Sequence, residues 1–209
     1  MSNSSEDKEK IVSAFGGKRG IIDAGFPALV FLISFNITKE LWNSLIASIL
    51  ISLLLTIIRL IMKDTIQHAL SGLIGTLIAA WFANRTGNPS DVFVPKLFTN
   101  LGYGTVYLIA NLVGWPILGV MLGPILGENF SWRNDPARKR AYIRASWIWV
   151  GLFFSRLAVQ TPIYFSDNLN LLGAVNLAMG YPLFFLTAYG TWLVLRRVPT
   201  TIPPETKSD

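Results

Sequence analysis

The chain has 209 residues, 52% hydrophobic and only 14% charged, with a formal net charge of +6 and a mean hydropathy of +0.47. Soluble domains carry about 25% charged residues, so this composition excludes an ordinary soluble core and points to a polytopic membrane protein. Cysteine is absent, which excludes disulfides, thiolate nucleophiles and Cys-based metal sites, and the basic balance reads as cytoplasmic loops, with no nucleic acid as partner.

Residues 1–15 are polar and lack the basic-then-apolar order of a cleavable signal peptide. They are expected to form a disordered cytoplasmic tail, as are residues 198–209, rich in Pro, Thr and charge. Between them, 16–197 is expected to be one membrane domain. A membrane helix needs about 20 apolar residues, and that length predicts spans at 20–38, 41–62, 65–83, 95–114, 144–165 and 171–195. The first is interrupted by Asp23 and Pro27. Charge bias decides whether it crosses. With six crossings and both termini inside, only Lys39, Arg85 and Lys96 lie outside and Arg156 lies within a span; every other Lys and Arg is cytoplasmic. Without the first crossing that bias reverses, against the positive-inside tendency. The expected fold is therefore all-α, a polytopic bundle of six transmembrane helices, with a short Gly/Pro-rich half-helix at 115–127.

Asp23 is the carboxylate well inside an apolar run, one turn from the cytoplasmic edge, and His68, the single histidine, sits at similar depth in the third span. They read either as a titratable pair or as residues of helix ends at the headgroups. In the second span Ser44, Ser48, Ser52 and Thr56 recur every four residues and form one hydroxyl stripe ending beside Arg59. Such a stripe is a close-packing seam or the wall of a wet passage. "NRTGNPSD" is a turn-rich outside loop. The fourth span carries Asn100, Tyr103, Tyr107 and Asn111 at steps of three or four, a second polar face. In "GWPILGVMLGPILGEN", Gly119, Gly123 and Gly127 form a small-residue packing face on a half-helix that lies in the interface or re-enters the membrane. Asp135-Pro136 marks the start of the helix that feeds the fifth span.

Arg156 lies about ten residues from either end of that span, too deep for easy snorkelling. An intramembrane arginine costs ~2.5–3.5 kcal/mol on insertion scales, so it must face protein or water. Gln160 and Tyr164 follow on the same face, and Pro162 frees a carbonyl beside them. The set is an anion-selective polar path or an arginine satisfied by carbonyls. Most tryptophans fall near span ends, as interface anchors do. No HExxH, phosphate-binding glycine loop or Ser/His/Asp set is present, so neither enzymatic activity nor a cofactor or metal is expected.

"GGKRGIIDAGFPALVF", "ANRTGNPSDVFVPKLFTNLGY", "GWPILGVMLG", "SWRNDP" and "AVQTPIYF" together resemble an actinobacterial family of six-span integral-membrane proteins of unknown function, over about 16–197. More distantly the chain is similar to the intracellular septation protein A family, through Asp23, Pro27 and Phe31 in the first span, Phe93 and Lys96 before the fourth, and Pro116 and Ile117 after it. The resemblance implies a bacterial cytoplasmic membrane protein. The septation-like similarity implies a role in cell-envelope assembly or division without catalysis. From the residues themselves, the three polar stripes favour a small transporter or channel for ions or small anionic solutes, with Arg156 setting charge preference. The alternative is a non-conducting scaffold. The expected partners are the lipid bilayer, a second copy in a homodimer, and envelope or division proteins.

Overall fold

A computed structural model describes the backbone of residues 17–62 and 66–201 and the side chains of 25–62 and 70–201. The described residues are helical, with no strand: α1 (Gly17–Thr38), α2 (Leu41–Ile61), α3 (Ile66–Thr86), a 3-10 turn (Pro89–Phe93), α4 (Val94–Leu112), α5 (Ile117–Ile125), a second 3-10 turn (Ser131–Arg133), α6 (Pro136–Phe165), α7 (Leu169–Ala178) and α8 (Tyr181–Leu195). The contacts gather into two compact units. The first comprises Met1–Lys96 and Ile163–Leu177, the second Leu97–Pro162 and Ala178–Asp209.

In the first unit α2 packs against α1 and α3, around Phe31, Leu32, Leu45, Ala83, Phe93 and Leu172. Gly173 lets α7 approach α1: a Cβ there would stand 2.4 Å from Leu32 Cδ1. The polarity of α2 is inverted relative to a helix in water. Ser44, Ser48, Ser52, Thr56 and Arg59 are buried, while Trp42, Ile46, Leu50, Leu54 and Ile57 are exposed. The hydroxyls turn back onto the helix's own turn, Ser48 Oγ donating to Leu45 O at 2.9 Å and Thr56 Oγ1 to Ser52 O at 2.8 Å. Small size, and not a lateral hydrogen bond, is what Ser48 supplies to the seam. Ser48→Ala is therefore expected to leave thermal unfolding in mild detergent nearly unchanged, whereas Ser48→Leu overpacks the seam and lowers stability by about 1–3 kcal/mol.

In the second unit α4, α6 and α8 surround Tyr107, Tyr142, Trp149, Val150 and Phe153, with Leu118 and Trp132 at one end. α4 ends in a Schellman motif. Trp115 N–H reaches Ala110 O (2.8 Å) and Gly114 N–H reaches Asn111 O (3.1 Å), with Gly114 at φ 76° and Pro116 next in the chain. The chain then bends by 86° into α5. The motif recurs at the end of α5, where Glu128 N–H bonds Gly123 O and Gly127, at φ 76°, bonds Pro124 O. Gly127 thus ends the helix; nothing lies near where its Cβ would be, and it is not part of a packing face. Gly119 and Gly123 do pack, but against the Trp132 ring of the following turn. α6 starts where Asp135-Pro136 predicted, with Asp135 Oδ1 accepting from Ala137 N–H at 2.8 Å and Arg138 N–H at 3.4 Å.

By length and composition, the described helices include two able to cross a membrane, Leu41–Ile61 (mean hydropathy 2.4) and Leu169–Leu195 (1.6), and three if the bent pair of α4 and α5 counts as one. The predicted span 171–195 is interrupted at Met179-Gly180, which separates α7 from α8. Arg156 and Gln160 lower the hydropathy of α6, which has length in excess at 30 residues.

Candidate functional sites: a helix break and a buried ion pair

The interruption between α7 and α8 is local chemistry. Gly180 lowers helix propensity and Pro182, in the first turn of α8, brings no N–H. The carbonyls of Met179 and Gly180 are taken by Arg156, whose Nε donates to Met179 O at 2.7 Å and Nη2 to Gly180 O at 2.6 Å. The side chain is half-buried. These bonds use two of the five guanidinium N–H groups. One turn on, Gln160 is 2% exposed, and its Oε1 has no hydrogen-bond partner among the described residues. Tyr164, in the first unit, donates to Asp91 Oδ1 at 2.6 Å, and Asp91 is itself buried. Pro162 is accommodated inside an unbroken α6.

On α4, Asn100, Tyr107 and Asn111 are buried and Tyr103 is exposed. Asn111 Nδ2 donates to Ile143 O at 3.1 Å, while its Oδ1 and the buried Ser146 Oγ lack partners among the described residues. Along α4 and α6, between these groups and the Asn100–Arg156–Gln160 end, the aromatic rings of Tyr107, Trp149 and Phe153 stack at centroid distances of 5.6 to 6.2 Å, with Phe184 edge-on to Trp149 at 5.4 Å. The hydroxyl stripe of Ser48, Ser52 and Thr56 belongs to the first unit, the α4 and Arg156 faces to the second, apart from Tyr164. Asp23 and His68 fall on α1 and α3, and their side chains lie outside the described residues. The first unit also carries an open groove of about 370 Å³ beside the reciprocal amide pair Asn36–Asn170.

A further densely bonded polar group among the described residues is one that no clear sequence pattern marks. The Schellman motif after α5 turns the Glu128 side chain inward, where it is 0% exposed and meets Arg138, 2% exposed. Arg138 Nε donates to both carboxylate oxygens at 3.0 and 3.1 Å, and Nη2 pairs with Oε1. Nη1 reaches Leu195 O at 3.1 Å and Val198 O at 2.8 Å, satisfying the carbonyl end of α8. Thr201 Oγ1 adds a bond to Glu128 Oε2 at 3.3 Å, so the segment expected to be a tail from 198 is held as far as Thr201. Burial lowers the Arg138 pKa, but the bonds and charge of Glu128 together with Tyr142 outweigh it and the net shift is upward. Tyr142, fully buried over this pair, is pushed up to about 12, first by burial, so its hydroxyl stays protonated and donates to Glu128 Oε1 at 3.3 Å. The sequence signal was faint: one Glu directly after an apolar helix, and an Arg four residues before a Tyr.

No curated protein and no solved structure matches the chain. A family model described as "Protein of unknown function (DUF3159)" matches residues 15–202. That match takes in every described helix, and on it the chain belongs to the DUF3159 family of proteins of unknown function.

Proposed function

We propose that this is a six-span protein of a bacterial cytoplasmic membrane, with both termini cytoplasmic, acting as a small transporter or channel for anionic solutes. The observation that carries this reading is the break in the apolar segment Leu169–Leu195, with Arg156 at its carbonyls. Irregular backbone at membrane depth is tolerated only against protein or water, and discontinuous helices with a charged partner are how many transporters build a midplane site. Three guanidinium N–H groups remain to receive an anion, and the bare Gln160 oxygen offers an acceptor to its water or acidic proton. The stack of Tyr107, Trp149 and Phe153 then acts as a closed gate, so conduction requires those rings to move. The inverted polarity of α2 supports the membrane setting.

Reconstituted into liposomes, the chain is expected to pass chloride or small carboxylates. Loss of a charge-assisted bond worth ~1.5–3 kcal/mol predicts a roughly 10- to 100-fold slower flux in Arg156→Leu. Arg156→Lys, which keeps the charge, should retain part of it. A monodisperse Arg156→Leu protein with unaltered anion flux would remove the assignment. The second reading, a non-enzymatic scaffold that dimerises or docks on envelope or division proteins, is favoured by the back-bonded hydroxyl seam of α2. It predicts no flux from the wild type and specific membrane partners on copurification.

A further inference from the structure

Among the described residues, one end of the second unit carries six cations: Arg133, Lys139, Arg140, Arg144, Arg196 and Arg197. The proximity of Arg133, Lys139, Arg196 and Arg197 follows from three contacts, and Arg140 and Arg144 continue along the exposed side of α6. The Arg133 guanidinium lies 3.7 Å over the Trp115 ring. Lys139 Nζ stands beside Gly114, 3.6 Å from where its Cβ would be. Buried Arg138 holds Leu195 O and Val198 O, which pins Arg196 and Arg197 to the first turn of α6. Of the described acidic residues, the two nearby are already engaged. Glu128 is sealed against Arg138, and Asp135 caps α6. Among the described residues none of the six cations has a carboxylate partner.

The chemistry of this face is more specific than excess charge. Five of the six cations are arginines, whose planar forks match phosphate oxygens bidentately. Two are stacked on exposed tryptophans, Arg133 on Trp115 and Arg196 on Trp192, the latter at 4.5 Å. Stacking holds the guanidinium plane while leaving its N–H edges free, and it lowers the ordering cost of binding. Tryptophans of this kind favour the headgroup level of a bilayer.

We propose that this face binds the phosphates of anionic phospholipid headgroups. The inference rests on the membrane reading, not on transport. The test uses the full chain in mild detergent and in nanodiscs. In native mass spectrometry, phosphatidylglycerol should be retained in preference to phosphatidylcholine. Combined Arg133→Gln, Arg196→Gln and Arg197→Gln should weaken retention by roughly fivefold for each arginine neutralised. Trp115→Leu with Trp192→Leu leaves every charge in place and should also weaken it, an effect that a purely topological role of the cations would not produce. Equal retention of the two lipids, or full retention by the triple variant, overturns the proposal. So does displacement of the lipid by millimolar inorganic phosphate or by an oligonucleotide, since either makes the lipid a substitute for another anion. Release of the chain from membranes by alkaline carbonate would instead show that the membrane reading itself fails.

Discussion

Arg138→Leu is expected to destabilise the protein by about 3–5 kcal/mol, because it strands the Glu128 carboxylate in a site with no access to water. It also frees the carbonyls of Leu195 and Val198. The loss should appear as a large fall in the thermal unfolding midpoint in detergent, together with protease sensitivity near residue 198. Glu128→Leu combined with Arg138→Leu removes both charges. That double variant should recover much of the loss, since replacing a buried pair by apolar side chains is often neutral. A double variant as unstable as the single one would mean that the pair itself is not the source of the cost.

Gly123→Ala is the second large effect. A Cβ at Gly123 would lie 2.2 Å from the carbonyl oxygen of Asn129 and 2.9 Å from Trp132 Nε1. The first neighbour is backbone held by the α5 cap, and the second is a fully buried indole, so neither can give way cheaply. Overpacking of this kind costs about 1–3 kcal/mol, and here the displaced turn is the one that carries Glu128. The variant should therefore lose stability by thermal unfolding and also loosen the Glu128–Arg138 pair. Gly151→Ala, where nothing lies within 4 Å of the new methyl, should be neutral or slightly stabilising, because Gly costs a helix about 0.8–1.0 kcal/mol relative to Ala. Equal behaviour of the two variants would contradict the packing of α5 on Trp132.

Helix ends were legible because their signals are local. The helices expected at 41–62 and 95–114 are Leu41–Ile61 and Val94–Leu112. Asp135-Pro136 opens α6 through a side-chain cap that needs only neighbouring backbone. The break between α7 and α8 is not legible in hydropathy, since Gly180 and Pro182 sit in uniformly apolar surroundings and hydropathy averages across them. Gly119, Gly123 and Gly127 look alike at four-residue spacing. Two make room for Trp132 and the third supplies a left-handed cap, a distinction set by backbone direction.

The amino-acid order by itself determined the helical, apolar character of the described residues, most helix limits other than the α7–α8 break, the turn after α4 and the hydroxyl stripe of α2, because these depend on hydropathy, turn residues and 3.6-residue periodicity. Tertiary structure alone decided which charges are buried. Nothing local separates Arg138 from Lys139 and Arg140, yet one is sealed against Glu128 and the end of α8 while its neighbours stay at the surface. Likewise only the fold brings the Met179 and Gly180 carbonyls to Arg156. A buried charge is stable only where partners converge from distant parts of the chain, and that convergence is a property of three-dimensional packing.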